Sequence, residues 1–519
     1  MYFYSIPYKF HIFANPMNDL EKIYQLYLQQ KQKICTDTRK IVPDSVFFAL
    51  KGANFDGNNY AIDAIQKGCS WAVVDNPDTA LKSDKCILVN DVLKTLQQLA
   101  QYHRKQWNKP VIAITGSNGK TTTKELIAAV LSQKYKVLST PGNYNNHIGL
   151  PLTLLQIQPE HQMAVIEMGA NHPGEIKELC NIALPDYGII TSIGKEHLEG
   201  FGSIETVKRT NGELHDYLLA NHKKIFLHID NTDFMDILSQ YKWSISDILQ
   251  NNETFLLYSD LSKLVILPNY QDKKIIFGKY ITNNSDIFVH FKWIINAPQH
   301  WKSFQNNYDS GCEINSAIEQ QPLVKTHLLA YHNFINALSA VCVGNYFNVE
   351  ENKINEAIAN YVPDKNRMQW IETKKFNKII LDAYNANPTS MMAALEFFKD
   401  KNILNGIALT PDNQKIDCLT NETDKIIILG DMFELGEHSE KEHSDIIRWI
   451  KNNFKEARIF LAGKEFYKAS QKEKLNHNMQ LFSTTDELKS YLEHLNIIGK
   501  FILIKASRGM QLEKIVEVL

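Results

Sequence analysis

The stretch that most constrains this chain is VIAITGSNGKTTTKELIAAVL, beginning at Val111. Four apolar residues and a threonine, most of them β-branched, predict a buried strand, and the segment from Lys120 to about Tyr135 predicts a helix. Between them stand Gly116, Ser117, Asn118, Gly119, Lys120, Thr121 and Thr122. Two glycines let the backbone turn tightly and aim successive N–H groups inward. The helix N-terminus adds the positive end of its dipole, and Lys120 adds a cation for β- and γ-phosphates. The strict G-x-x-x-x-G-K-[ST] spacing would need a glycine at 114, where Ile114 stands. The alternative is an ordinary glycine-rich turn. The strand before and the helix after favour a nucleotide phosphate cradle, with the Thr121 hydroxyl offered to Mg²⁺.

A strand–cradle–helix start predicts a parallel sheet, and the following segments repeat the alternation: AVIEM, a helix near Gly174–Ile182, then YGIITSI. Strand ends in such a sheet converge on one crevice. Glu167, at the end of AVIEM, and His197, in the turn after YGIITSI, are therefore candidate ligands for a first and a second metal ion. Either residue alone reads more often as polar surface; the coincidence of three strand ends favours the pair as ligands. Residues 225–325 are less regular, with FLLYS, KLVIL, KIIFG and DIFVHF forming an added, partly antiparallel section. Before the cradle lies a small α/β unit: a helix from Asp19 to about Gln30, short strands at Val46–Leu50, Trp71–Val74 and Cys86–Val89, and a helix over Asp91–Trp107. After Pro363, KIILD, KIIILG, ARIFLAG and FILIK are each followed by a helical pattern, the last being MQLEKIVEVL. This is a second, Rossmann-like parallel sheet. Residues 404–424 read as a surface excursion, and 1–16 as a leader outside the fold.

The class is thus α/β in three domains: 1–107 a small α/β unit, which the resemblance described below makes the substrate-binding domain, 108–363 the P-loop ATPase, and 364–519 Rossmann-like. A chain of 519 residues allows a core in each. With 56 Lys plus Arg against 58 Asp plus Glu, the surface is not built to coat a polyanion, which argues against nucleic acid as a partner. No apolar run reaches the ~18 residues of a membrane span, and no secretory signal opens the chain. Seven scattered cysteines without a CxxC pair predict free thiols and a cytoplasmic setting.

Several segments resemble the Mur ligases. They are TGSNGKTTTK, Gly142-Asn143-Tyr144-Asn145-Asn146-His147-Ile148-Gly149, GKEHLEGFGS, and His332-Asn333-Phe334-Ile335-Asn336-Ala337. Within the family, Asp382-Ala383-Tyr384-Asn385-Ala386-Asn387-Pro388 and LGDMFELGE are similar to the member that completes the peptide. That member joins D-alanyl-D-alanine (D-Ala-D-Ala) to a UDP-N-acetylmuramoyl tripeptide (UDP-MurNAc-tripeptide), making a peptidoglycan precursor. The DNPR motif of the enzyme adding the third residue is absent.

The resemblance implies ATP and Mg²⁺ as cofactors, activation of the peptide carboxylate as an acyl phosphate, and attack by the incoming amine. It assigns Lys120 to the β- and γ-phosphates, Thr121 and Glu167 to the first Mg²⁺, and His197 to the second. Asn333 and Asn336 would bind adenine, Arg367 phosphate and Asp382 ribose. Without it, the two asparagines read as a polar stripe, Asp382 as a helix cap and Arg367 as a surface ion-pair residue. It places the UDP-sugar peptide at Thr38, Arg39 and Asn54, the substrate rim at Asn143 and Asn146, and the dipeptide at Lys505 and Ser507. Two departures stand out. Ala506 replaces a glycine, and Asn211 occupies the place of a lysine that many relatives carbamylate to supply an anionic oxygen to the second metal. A neutral amide cannot do that, so no carbamate is expected here. Two other readings compete: a folylpolyglutamate-synthase-like ligase of the same architecture, and a non-catalytic ATP-dependent switch.

Overall fold

The computed structural model describes residues 16–251, 253–263, 275–281, 287–296, 316–363, 366–400 and 422–519. The sequence readings for the leader, for most of KLVIL and for 404–421 fall outside these. The chain is α/β and divides into two compact units. One comprises residues 1–113, 135–169 and 177–186; the other comprises 114–134, 170–176 and 187–519.

In the first unit, Ile34–Cys35, Val46–Phe48, Trp71–Val74 and Cys86–Leu88 form a four-stranded parallel sheet in that order. Both of its faces are covered, which is why VFF and WAVV carry almost no polar residue. The helices Pro16–Gln29 and Val92–Trp107 pack through Tyr24, Tyr27 and His103. The Tyr27 hydroxyl donates to Leu155 O at 2.6 Å. Asp91 caps the second helix by accepting from Lys94 N at 2.8 Å, and Asn108, in a left-handed conformation, ends it. A second parallel pair, Val137–Ser139 with Met163–Glu167, completes the unit. Pro110 and Val111 pass beside it, their carbonyls accepting from Ala164 N and Asp186 N.

In the second unit, Tyr187–Ile190, Lys224–His228, Phe255–Asp260 and Ile275–Ile281 run parallel as neighbours. Phe288–Asn296 and Val324–Leu329 then add antiparallel strands, as the sequence leads one to expect of that section. The helix Tyr331–Tyr346 packs tightly on the cradle helix Lys120–Leu131. A Cβ on Gly344 would sit 2.4 Å from the Val130 side chain, so only glycine permits that approach.

The last sheet has six strands ordered Gln369–Glu372, Lys378–Asp382, Phe501–Lys505, Lys425–Gly430, Arg458–Ala462 and Met479–Phe482; only the first is antiparallel. Its residues alternate strictly between two cores. Ile427, Leu429 and Leu503 join one, while Ile426, Ile428, Ile502 and Ile504 join the other. Helices on both faces follow from that pattern. One local expectation differs. MQLEKIVEVL is not an α-helix but two tighter 3₁₀ turns, Arg508–Met510 and Leu512–Val518. Tertiary bonds win over helix propensity here: Lys375 Nζ donates to Val518 O and Thr373 Oγ1 to Leu519 O, pinning the chain end.

Candidate active site

The cradle is held from behind by the strand end Thr191–Gly194. Ser117 N donates to Ser192 O at 2.8 Å, Asn118 N to Ser192 Oγ at 2.9 Å, and Thr191 Oγ1 to Asn118 O at 2.6 Å. Gly116 has φ +127° and a Cβ there would meet Thr191 Oγ1 at 2.4 Å. At Gly119, φ is +84° and a Cβ would meet Asn336 Oδ1 at 2.9 Å. Side chains are excluded at both points because Thr191 and Asn336 pack directly against the loop there, and the N–H groups of Ser117 and Asn118 turn to Ser192 rather than into the loop. The Lys120 ammonium bridges its own loop, donating to Gly116 O and to Ser117 O, and lies 3.4 Å from Glu196 Oε2. Thr121 is buried in the first turn of the helix and Thr122 is half-buried. Below the loop, Thr115 Oγ1 donates to Asn211 Oδ1 at 2.8 Å, and Asn211 Nδ2 donates to Val207 O at 3.0 Å. The Asn211 amide thus fixes the end of the strand.

Asn333 and Asn336 lie buried on one face of the neighbouring helix. Asn336 Nδ2 donates to Asn333 Oδ1 at 2.9 Å, and Asn333 Nδ2 to Leu329 O at 2.8 Å. The spacing marks a shared side; the contact of Asn336 with Gly119 places that side against the cradle. His332 beside them stays open to solvent although protein crowds it. Desolvation, followed by the Lys505 cation, pushes its imidazole below the ordinary value against the opposing pull of Asp382.

The last sheet meets the cradle through the loops at its strand ends. Asp382 Oδ2 lies 2.5 Å from Lys505 Nζ, and Asp382 Oδ1 accepts from Met368 N at 3.1 Å. Lys505 also donates to Asn385 O and is only 1% exposed. Ser507 Oγ accepts from Phe433 N at 2.9 Å and is likewise buried. The two residues assigned to the dipeptide therefore face inward and tie three loops together; the exposed cation of that motif is Arg508. The Arg367 guanidinium stacks 3.8 Å above the Tyr384 ring, with Arg508 at 5.0 Å from the same ring centroid. Arg367 Nε is buried without a hydrogen-bond partner. His197, in a left-handed conformation, places Nδ1 2.5 Å from Glu434 Oε2, and this neighbour holds the Glu434 carboxyl below its usual range.

In the first unit, Glu167 ends its strand buried. It accepts from Asn145 Nδ2 at 2.9 Å, and its own N–H donates to Thr140 Oγ1. Asn146 accepts from Ile148 N and Gly149 N, so it shapes the turn; Asn143 is exposed. Thr38 is half-buried and Asn54 exposed. The Arg39 guanidinium donates twice to Asp37 and holds that carboxyl down at about 2. A cavity of about 340 Å³ opens beside this turn, lined by Gln32, Cys35, Thr36, Asp37, Lys40 and Tyr144 among others. Residue-by-residue reading missed Asn145, Glu196, Asn387 and Glu434. All four lie inside the motifs quoted above, and only their three-dimensional partners single them out.

A glycine-rich strand–loop–helix on one sheet, in contact with a Rossmann-like sheet, defines the class: an α/β nucleotide-using enzyme. The chain belongs to the Mur ligase family. Residues 114–344 match the Mur ligase middle domain, and residues 32–105 match the Mur ligase family, catalytic domain. It is 31% identical to the UDP-N-acetylmuramoyl-tripeptide–D-alanyl-D-alanine ligase of Bacillus subtilis (strain 168), covering 93% of this chain and 92% of that protein. The Escherichia coli (strain K12) ligase of the same name is 29% identical over 94% of this chain and 93% of its own length. Among solved structures, MurF from Acinetobacter baumannii superposes with a TM-score of 0.72 at 26% identity, covering 95% of this chain and 97% of that one.

Proposed function

We propose that this chain performs the reaction of these relatives: the ATP-dependent joining of D-Ala-D-Ala to UDP-MurNAc-tripeptide, forming the pentapeptide precursor of peptidoglycan. The observation that carries this reading is likeness along the whole chain, from the small first sheet through the cradle to the last sheet. A generic ATP-dependent switch would not need all three in that order. The three-domain division at 107 and 363 is part of the proposal.

The chemistry of the loop residues supports the phosphate roles proposed for them. Glycines at 116 and 119 let the loop turn at positive φ against Thr191 and Asn336, and Lys120 has an ammonium that can exchange loop carbonyls for phosphate oxygens. Arg367 carries an unpartnered buried Nε beside the Asp382–Lys505 pair. The Thr121 hydroxyl and the Glu167 carboxylate are the ligands proposed for the first Mg²⁺, and His197 for the second. The metal would supply charge neutralisation on the phosphates. Lys120 and Arg367 would offset charge as the γ-phosphoryl group passes to the peptide carboxylate and ADP leaves. The amine of the dipeptide then attacks the acyl carbon and phosphate leaves. Asn333 and Asn336 would border adenine, and Asp382, oriented by Lys505, the ribose. Thr38, Arg39, Asn54, Asn143 and Asn146 are proposed for the UDP-sugar peptide, with Lys505 and Ser507 acting on the dipeptide by holding the loops around Arg508.

Among the described residues no helix is long and apolar enough to cross a membrane, and the described cysteines are free thiols. A cytoplasmic location accords with both and is proposed with the activity. The test is phosphate release with ATP, UDP-MurNAc-tripeptide and D-Ala-D-Ala, varying the third peptide residue between lysine and diaminopimelate. Release that requires both co-substrates is expected. Release driven by a single amino acid on a shorter peptide would overturn the assignment.

A further inference from the structure

Asn387 performs two tasks with one buried side chain. It caps the helix Pro388–Lys399, its Oδ1 accepting from Ser390 N at 2.8 Å while its N–H donates back to Ser390 Oγ. At the same time its Nδ2 donates 2.9 Å across to Asn118 Oδ1, in the middle of the phosphate cradle. Cap function explains the first bond and not the second.

We propose that Asn387 is a positioning residue that ties the cradle to the last sheet, so that phosphoryl transfer is fast only when that sheet is docked. The proposal deepens the ligase reading above and rests on it. The backbone of Asn118 is fully engaged by Thr191 and Ser192, leaving its side chain as the part that reaches outward. A parallel link starts one residue earlier. Ser117 Oγ donates to Gly194 O, and the next residue, Lys195, donates its N–H to Thr389 Oγ1 at 2.9 Å. A Cβ on Gly194 would lie 2.8 Å from Thr389 Oγ1, so the two chains touch there. Asn387 thus contacts the cradle directly, and Thr389 contacts the strand end to which Ser117 is bonded. On its far side the loop 383–387 is anchored to the sheet that carries Asp382 and Lys505: Lys505 Nζ donates to Asn385 O at 3.2 Å and Ser507 Oγ to Ala386 O at 3.4 Å. Displacing Asn387 therefore shifts the cradle relative to the groups proposed for ribose and phosphate. A shift of that kind, on the order of an ångström, costs up to about 10²-fold in rate.

The test compares Asn387→Ser with Asn387→Asp in the phosphate-release assay on the full-length chain. Serine still caps the helix but is too short to reach Asn118. Aspartate caps and can accept from the Asn118 amide once that amide turns over. We expect N387S to lower kcat about tenfold to hundredfold with an unchanged Tm, and N387D to recover most of that loss. Asn118→Ala should match N387S, and the double variant should be no worse than either single one. Small-angle scattering with a non-hydrolysable ATP analogue should show N387S more expanded than the native chain. Native kinetics in N387S, equal losses in N387S and N387D, or additive losses in the double variant would each overturn the proposal. A native chain inert in the assay overturns the ligase reading instead. The scattering comparison then decides, with equal compaction of native and N387S chains counting against the link.

Discussion

The cradle at Gly116–Thr121 and the turn at Thr36–Arg39 are both short polar segments following a strand, yet they are built in opposite ways. Around the cradle, backbone groups and small hydroxyls from Thr191–Gly194 hold Ser117 and Asn118, and Lys120 is mostly enclosed. In the turn, the Arg39 side chain is 87% exposed and its partner Asp37 lies two residues away on the same loop. One site is ordered before any ligand arrives. The other must pay the entropy of fixing a long side chain when its ligand binds. The cradle should therefore govern turnover, and the turn should govern affinity.

That contrast can be broken most decisively at Lys120. Replacing it by alanine should cut kcat by at least about 10²–10³-fold, the scale of losing one preorganised charge donor, with little change in Tm. A near-native kcat would remove the cradle from the mechanism. Gly119→Ala should come next. It forces an L-residue to φ +84° and drives a methyl into Asn336. A strain of about 1–3 kcal/mol and a kcat loss larger than the KM change are expected, read by denaturant titration and steady-state kinetics.

The support beneath the cradle should be acid-sensitive. His215 lies one helical turn beyond Asn211, fully buried with both ring nitrogens unpartnered, and burial lowers its pKa to about 3. The unfolded chain takes up this proton near the ordinary value of about 6.5 and the folded chain does not. Stability from this group is therefore intact above about pH 6.5 and falls as pH drops toward 3. Chemical denaturation should show a loss of up to about 1.4 kcal/mol per pH unit in that window, reduced in His215→Leu. An identical slope in the variant would contradict the assignment.

At the turn, Arg39→Ala should raise KM for the UDP-linked peptide about tenfold and leave kcat within about twofold, as expected for a contact made equally in ground and transition states. A large fall in kcat would erase the distinction between the two regions. The smallest expected effect is none at all. Because Asn211 spends its amide on Thr115 and Val207, removing bicarbonate should not alter the rate. A sharp loss restored by bicarbonate would show that a carbamate forms elsewhere.

How much of this was readable in the chain follows the same divide. The strand–loop–helix turn was legible because its backbone geometry is written in glycine spacing and in the strand and helix that flank it. The α/β alternation was legible because strands buried on both faces cannot hide their composition. Asn145, Glu196 and Asn387 were not singled out, since an asparagine or glutamate in a loop acquires its task only from a partner far away in sequence. Lys505 and Ser507 show the converse. A motif named them, but their side chains turn inward, and no local pattern distinguishes a lysine that grips Asp382 from one that faces a ligand. The 3₁₀ ending of the chain escaped for a related reason, because Thr373 and Lys375 decide it from more than a hundred residues away.

The most direct test is a crystal structure of the chain with a non-hydrolysable ATP analogue and magnesium. The account requires the triphosphate to lie along Gly116–Thr121, with the Lys120 ammonium moved from the Gly116 carbonyl onto phosphate oxygens. A nucleotide bound elsewhere, with Lys120 still folded onto its own loop, would contradict it.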